Sequence, residues 1–197
     1  MKTLRTILVV MGLALAIAGC ASVSVTNQWH DPAYRGPPAT NFVVVGIARN
    51  ETTRRVFEDT FVAQLRAAGV QAQPAYTQIE AGENGKVKLT DLVRASGADA
   101  VLTTRVQRVQ QKLNVSPGYA YGGYGGFYGW YGGAWASAPI VSQYEVVTLE
   151  TDVWEPKSGT LIWAATTERV ASPDIPTVTT QLAQALIPRM RADHILR

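Results

Sequence analysis

The chain has 197 residues, 47% of them apolar and 17% charged, with a formal net charge of +3 and a single cysteine. That length and apolar share suffice for one domain with a real core, and one cysteine excludes an internal disulfide. No dense Lys/Arg run offers the clustered basic face that nucleic-acid binding needs, so nucleic acid is set aside as a partner.

The chain opens with "MKTLRTILVVMGLALAIAGCASVS", in which Lys2 and Arg5 precede an apolar run over residues 7–18. At about a dozen residues the run is short of the roughly 20 that cross a bilayer. It has the pattern of a secretory signal over residues 1–19. The signal ends in Ile17-Ala18-Gly19-Cys20, and this tetrapeptide resembles the lipobox of bacterial lipoproteins. The resemblance implies a diacylglyceryl group on the Cys20 thiol, cleavage just before it and acylation of the new amine. Each buried methylene contributes about 0.8 kcal/mol, so several acyl chains hold a protein to a membrane in effect permanently. Residues 1–19 carry no acid, so their removal leaves a formal charge of about +1. Residues 20–40, "CASVSVTNQWHDPAYRGPPAT", mix small, polar and proline residues without period and read as a lipidated tether.

From Asn41 the patterns sharpen into one domain over residues 41–197. "NFVVVGIA" is a β-branched apolar run of the kind found in strands buried on both faces. The next stretch, "RNETTRRVFEDTFVAQLRAAG", takes helical spacing, with Phe57, Phe61, Leu65 and Ala68 on one face. Asn50 is placed to cap it, Glu51 suits its positive end, and Gly69 stops it. "VQAQPAY" reads as a second strand that Pro74 consigns to an edge, and "LTDLVRASG" as a short helix closed at Gly97. "ADAVLTTRVQRVQQKLNV" begins apolar and then alternates, as a strand does when it leaves the middle of a sheet for solvent.

After an insert over residues 116–141 comes the clearest hairpin, "YEVVTLETDVWEPKSGTLIWAATTERV". Val147, Leu149 and Val153 share one of its faces, Pro156-Lys157-Ser158-Gly159 makes the turn, and Leu161, Trp163 and Ala165 form the matching face. The tail places Val178, Leu182, Leu186 and Met190 at helical spacing, with Pro188 expected to kink or interrupt the helix. The class is α/β, a mixed sheet of about five strands in the order β-α-β-α-β, insert, β-β-α, with helices packed on the sheet.

The segments "WHDPAY", "FVVVGIARNETTRRVFEDTFVAQLRAAGV", "SGADAVLTTRV" and "VTLETDVWEPKSGTLIWAATTE" together resemble an uncharacterised family of short Gram-negative envelope lipoproteins. Members of that family carry a Tyr/Gly-rich stretch between the third and fourth strands, as this chain does. In element order alone the chain is also similar to curli-secretion (CsgG-like) lipoproteins and to the N-terminal domain of TolB. The resemblance implies anchoring at the periplasmic face of the outer membrane. By the enterobacterial sorting rule an Asp after the lipidated cysteine favours the inner membrane, and here Ala21 follows Cys20. The family has no established catalytic residues to transfer.

The residues themselves point away from an enzyme. His30 and His194 are the only histidines, no HExxH pair or Cys/His cluster offers the converging ligands of a metal site, and no Walker A loop, GxGxxG or GxSxG motif occurs. No catalytic residue, metal or cofactor is therefore expected. Arg49 and Arg54, at a strand end and a helix start, suit an anion. The favoured reading is a solvated helix face with Glu51–Arg55 and Arg54–Glu58 pairs. Glu150 and Asp152 read as part of an exposed sheet surface.

The segment "GYAYGGYGGFYGWYGGAW" (residues 118–135) holds eight glycines and eight aromatics. A transmembrane hairpin needs one consistently apolar face per strand, and neither parity here provides it. Two readings stay open: a mobile low-complexity loop, and a contact surface made by Tyr119, Tyr121, Tyr124, Phe127, Tyr128, Trp130, Tyr131 and Trp135. Tyr and Trp suit membrane interfaces and partner hot spots. The expectation is a membrane-anchored, non-catalytic binding or scaffolding module with an envelope-protein or peptidoglycan partner. A subunit of a secretion or pore-like assembly is the alternative, and an envelope enzyme comes after it.

Overall fold

A computed structural model describes residues 23–77, 85–116 and 140–197. The signal peptide, Cys20 and the eight aromatics of the Gly/aromatic segment lie outside the described residues. The elements are β1 (Val23–His30), β2 (Asn41–Ile47), α1 (Glu51–Ala67), β3 (Gln71–Pro74), a 3-10 turn (Ala75–Thr77), α2 (Gly85–Ser96), β4 (Ala100–Ser116), β5 (Ile140–Glu155), β6 (Thr160–Val170) and α3 (Ile175–Ala192). The strands form one six-stranded sheet in the order β1-β6-β5-β4-β2-β3. β2 runs parallel to β3 and β4, and the other pairs are antiparallel. The α/β class is as the sequence predicts, and β3 is indeed an edge.

The strand count is corrected from about five to six. β1 comes from the stretch read as a tether, where Val23-Ser24-Val25-Thr26 alternates in the manner of a half-buried strand. It pairs antiparallel with β6, Val23 opposite Arg169 and His30 opposite Trp163. The residues that follow are also fastened. Ala39 is buried and exchanges backbone bonds with the C-terminus, its N–H donating to Ile195 O (2.8 Å) and its carbonyl accepting from Arg197 N–H (3.2 Å). Asp99 accepts from the backbone N–H groups of Thr40 and Asn41. A hydrogen-bonded strand has replaced a free linker.

α1 and α3 pack side by side on one face. Phe61 and Leu65, with Leu182, Leu186 and Met190, close over Phe42, Val44, Leu102, Val153 and Trp163 in a single core. On the opposite face Leu92 of α2 meets Val43, Ala75, Ala98 and Val101. A further expectation, about the hairpin, is corrected. A β-bulge shifts the register between Val153 and Trp154, and Ile162 joins Trp163 in the core in place of Leu161. α3 continues through Pro188, which is exposed, so the helix is not interrupted. Burial of Leu182, Leu186 and Met190 along the rest of the helix outweighs the one lost backbone bond.

Asp152 differs from the exposed residue that its strand pattern predicts. It is half-buried, and burial, joined by the neighbouring Glu150 carboxylate and opposed by Arg105, pushes its pKa from 3.8 to about 6. The folded chain therefore holds this proton more tightly than the unfolded one. The stabilisation that the proton brings is complete below about pH 4 and is lost as pH rises through about 6. In urea titrations wild type should lose stability between about pH 4 and pH 6.5, a slope that Asp152→Asn should flatten. At pH 7 the variant should be the more stable by about 1–2 kcal/mol, discounted for solvent screening.

Candidate functional site

β2 ends at Gly46 and Ile47, and α1 starts four residues later, with the Asn50 side chain accepting from Thr53 N–H at 2.9 Å. The helix lies close against the strand here, since a Cβ on Gly46 would stand 2.9 Å from Phe57 Cδ1. That closeness brings Glu58 to the backbone. Its carboxylate accepts from Gly46 N–H (2.9 Å), Tyr76 N–H (2.7 Å) and Arg54 Nε (3.0 Å).

Both members of the Arg54–Glu58 pair are buried, at 4% and 0% exposure. The solvated-face reading therefore holds for Glu51–Arg55, paired at 3.0 Å on the surface, and fails for Arg54–Glu58. The failure has a physical reason: the helix face carrying Glu58 is covered by β2 and by the turn after β3. Burial raises the Glu58 pKa, while the two N–H groups and the Arg54 guanidinium pull it back. Arg49 stays exposed.

At the end of β6, Arg169 lies across from Val147 of β5 and Val23 of β1, on the face that carries α1 and α3. α3 begins nearby, with Asp174 accepting from Thr177 N–H at 3.1 Å. Between the starts of α1 and α3 and the sheet lies a cleft of about 230 Å³. Its walls are Phe57, Val106, Val147, Leu149, Val178 and Leu182. Among the described residues the ionisable residues of its lining are all arginines, Arg54, Arg105 and Arg169, and strand alternation turns the Arg105 side chain to the opposite face of the sheet, where it meets Glu150. Arg54 is engaged with Glu58 and Glu51, and Arg105 with Glu150. The two threonines nearest the floor are satisfied as well, Thr104 with Thr151 (3.0 Å) and Thr179 with Ile175 O (2.8 Å). Such a site offers apolar surface and positive charge.

The same sheet face continues outward. Beyond the helices β4 and β5 remain paired as a two-stranded ribbon as far as Ser116 opposite Ile140, the two ends of the Gly/aromatic insert. Val109 pairs with Val147 and Val115 with Val141, so Val109, Leu113, Val115 and Val141 share the cleft's face, with Gln111, Gln143 and Glu145 between them. Leu113 is 63% exposed and Val109 54%. The ribbon's other face is clothed in charge, with Glu168 facing Arg108 at 3.4 Å and Lys112 at 4.0 Å over the buried Thr148. Sequence alternation alone leaves this stripe looking like the emerging end of a strand.

His30 belongs to β1 and approaches Asp193 at 4.0 Å. Among the described residues no group of three or more His, Cys, Asp or Glu is placed to hold a metal, and no helix is long and apolar enough to cross a membrane.

No protein-family model and no curated protein matches the chain. Solved structures do. In one crystal form the PelC dodecamer from Paraburkholderia phytofirmans superposes with a TM-score of 0.48 at 19% identity, covering 84% of this chain and 96% of that one. The lipoprotein GNA1162 from Neisseria meningitidis gives a TM-score of 0.40 at 15% identity, covering 78% of this chain and 99% of that one.

Proposed function

We propose that the chain is a lipid-anchored cell-envelope protein, held through Cys20 at the periplasmic face of the outer membrane, that works as a non-catalytic binding or scaffolding module. The observation that carries the binding role is the ribbon of β4 and β5, whose apolar residues Val109, Leu113, Val115 and Val141 stand open to solvent on one face. Exposed aliphatic side chains that recur along one face, here with Gln111, Gln143 and Glu145 between them, suit an interaction site better than scattered single residues do. In sequence the Gly/aromatic segment stands between the two strands of that ribbon, and its tyrosines and tryptophans suit the same binding role.

Anchoring sharpens the geometry. Cys20 stands three residues before Val23 in sequence, so a lipid on it lies within roughly 10 Å of the start of β1. With β1 built into the sheet, the domain rides directly on the bilayer and meets envelope partners at a high effective concentration.

The test is crosslinking in cells. A photo-reactive side chain in place of Leu113 or Val141 should give a discrete adduct that the exposed hairpin-turn position Lys157 does not give. Identical adducts from Leu113 and Lys157 would remove the binding role. An adduct joining two copies of this chain would make it a subunit of a homo-oligomeric assembly. Incorporated palmitate that disappears in Cys20→Ser would support the anchor, and absence of label from the wild-type chain would overturn it.

A further inference from the structure

The cleft between the starts of α1 and α3 has the size, wall chemistry and charge of a ligand site. At about 230 Å³ it exceeds the roughly 150 Å³ apolar cavity that takes up benzene. It falls below the roughly 300–1,000 Å³ that surround larger ligands and cofactors. A narrow group fits, and a bulky cofactor does not. The cleft is not isolated, because Val106 in its wall leads on to Val109 and Leu113 of the exposed ribbon on the same sheet face. An apolar pocket that opens toward aliphatic side chains spaced along the same face, with Gln111 and Glu145 between them, suits a chain better than a compact ring.

The charge is at Arg169. Its guanidinium is bonded to neutral acceptors, Nε to Val170 O at 2.9 Å and Nη1 to Gln181 Oε1 at 3.5 Å. Among the described residues no carboxylate lies within ion-pair distance of it, unlike Arg54 and Arg105. Burial pulls its pKa down, against the field of Asp174. A ligand anion would supply a counter-charge. A carboxylate matches the planar guanidinium fork in two parallel hydrogen bonds. An ester carbonyl would add only another neutral acceptor.

We propose that this cleft binds a free long-chain carboxylate, its head paired with Arg169 and its chain lying against Val147, Val178 and Leu182 and out along Val106. The site stands on the cleft alone and does not depend on lipidation of Cys20.

The test uses the full chain in growing cells fed a palmitic acid analogue that carries a diazirine and an alkyne. After irradiation the protein is isolated and its adducts are mapped by mass spectrometry. The expected result is an adduct with the mass of the free acid analogue less the N2 that its diazirine expels, on peptides containing Val147–Leu149 or Val178–Leu182. Arg169→Gln should lower its yield at least about tenfold, the loss of one charge-assisted pair, and Arg169→Lys should lower it less. Val178→Phe, which fills the cleft away from the head, should also abolish the adduct on Val147–Leu149. Thermal unfolding of each variant shows that the fold persists.

Four results would overturn the proposal. They are no adduct on these peptides, an adduct with the mass of a phospholipid, an adduct joined to the peptide that begins at Cys20, and a yield unchanged by Arg169→Gln. The second and third would give the cleft to a membrane lipid or to the protein's own anchor.

Discussion

Glu58→Ala should cost roughly 3–5 kcal/mol of stability, the penalty for breaking a buried ion pair from one side. The carboxylate is fully buried and accepts three hydrogen bonds, from Gly46 N–H, Tyr76 N–H and Arg54 Nε. Removing it strands two backbone donors and deprives the buried Arg54 guanidinium of its main counter-charge. Against a typical total of about 5–15 kcal/mol, the fall in urea midpoint should be large. Glu58→Gln keeps an acceptor and should fall between. The double variant Arg54→Met with Glu58→Leu removes both charges and should recover about 1–2 kcal/mol relative to Glu58→Ala, leaving the two N–H groups as the residual loss. Glu51→Ala, which removes a half-exposed carboxylate from Arg55 and from the outer side of Arg54 but leaves the Arg54–Glu58 pair in place, should cost no more than about 1 kcal/mol. A Glu58→Ala protein within about 1 kcal/mol of wild type would show that the carboxylate is not holding α1 to β2.

The contrast between Glu51 and Glu58 shows how far the sequence could be read. Both stand four residues from an arginine, and the i,i+4 rule applies equally to an exposed and a buried pair. What separates them is Gly46, the closing turn at Tyr76 and the strand between, none of which has a local signature. Elements with their own periodicity were legible: the β2 run, the Phe61/Leu65 face of α1 with its Asn50 cap, the solvent-bound end of β4, and the β5–β6 hairpin. β1 was not, because its short Val/Ser/Val/Thr alternation is followed by polar residues and proline. Its partner β6 lies 144 residues away between Ser24 and Glu168. The cleft was illegible for the same reason, being assembled from six elements far apart in sequence. Arg169 carries no motif. Its standing as a cation without a carboxylate partner among the described residues emerges only when the strands are aligned. Cys20 and the aromatics of residues 118–135 remain readings of the sequence.

Trp163→Ala should be the second severe substitution, with a loss of roughly 3–5 kcal/mol for an emptied aromatic site in the core. Trp163 is fully buried, and its indole Nε1 donates to Asp193 Oδ2 at 2.9 Å. Asp193 also accepts from Gln28 Nε2 and closes the C-terminal end of α3, its own N–H bonding Arg189 O at 3.0 Å. One carboxylate thus ties the core tryptophan of β6, the edge strand β1 and the last turn of α3 together. Trp163→Phe separates the two contributions, since it keeps most of the ring and deletes only the donor. It should cost clearly less than the alanine variant and, beyond the smaller ring, about 1–2 kcal/mol for the bond to a charged acceptor. Amide hydrogen exchange then locates the loss. In Trp163→Phe the amides of β1 from Asn27 to His30 should exchange faster, while those of β2 and β4 keep their protection. Uniformly faster exchange would mean that β1 is fixed by its backbone ladder to β6 alone. In that case the link through Asp193 would hold only the helix end, and β1 would owe its place to main-chain pairing.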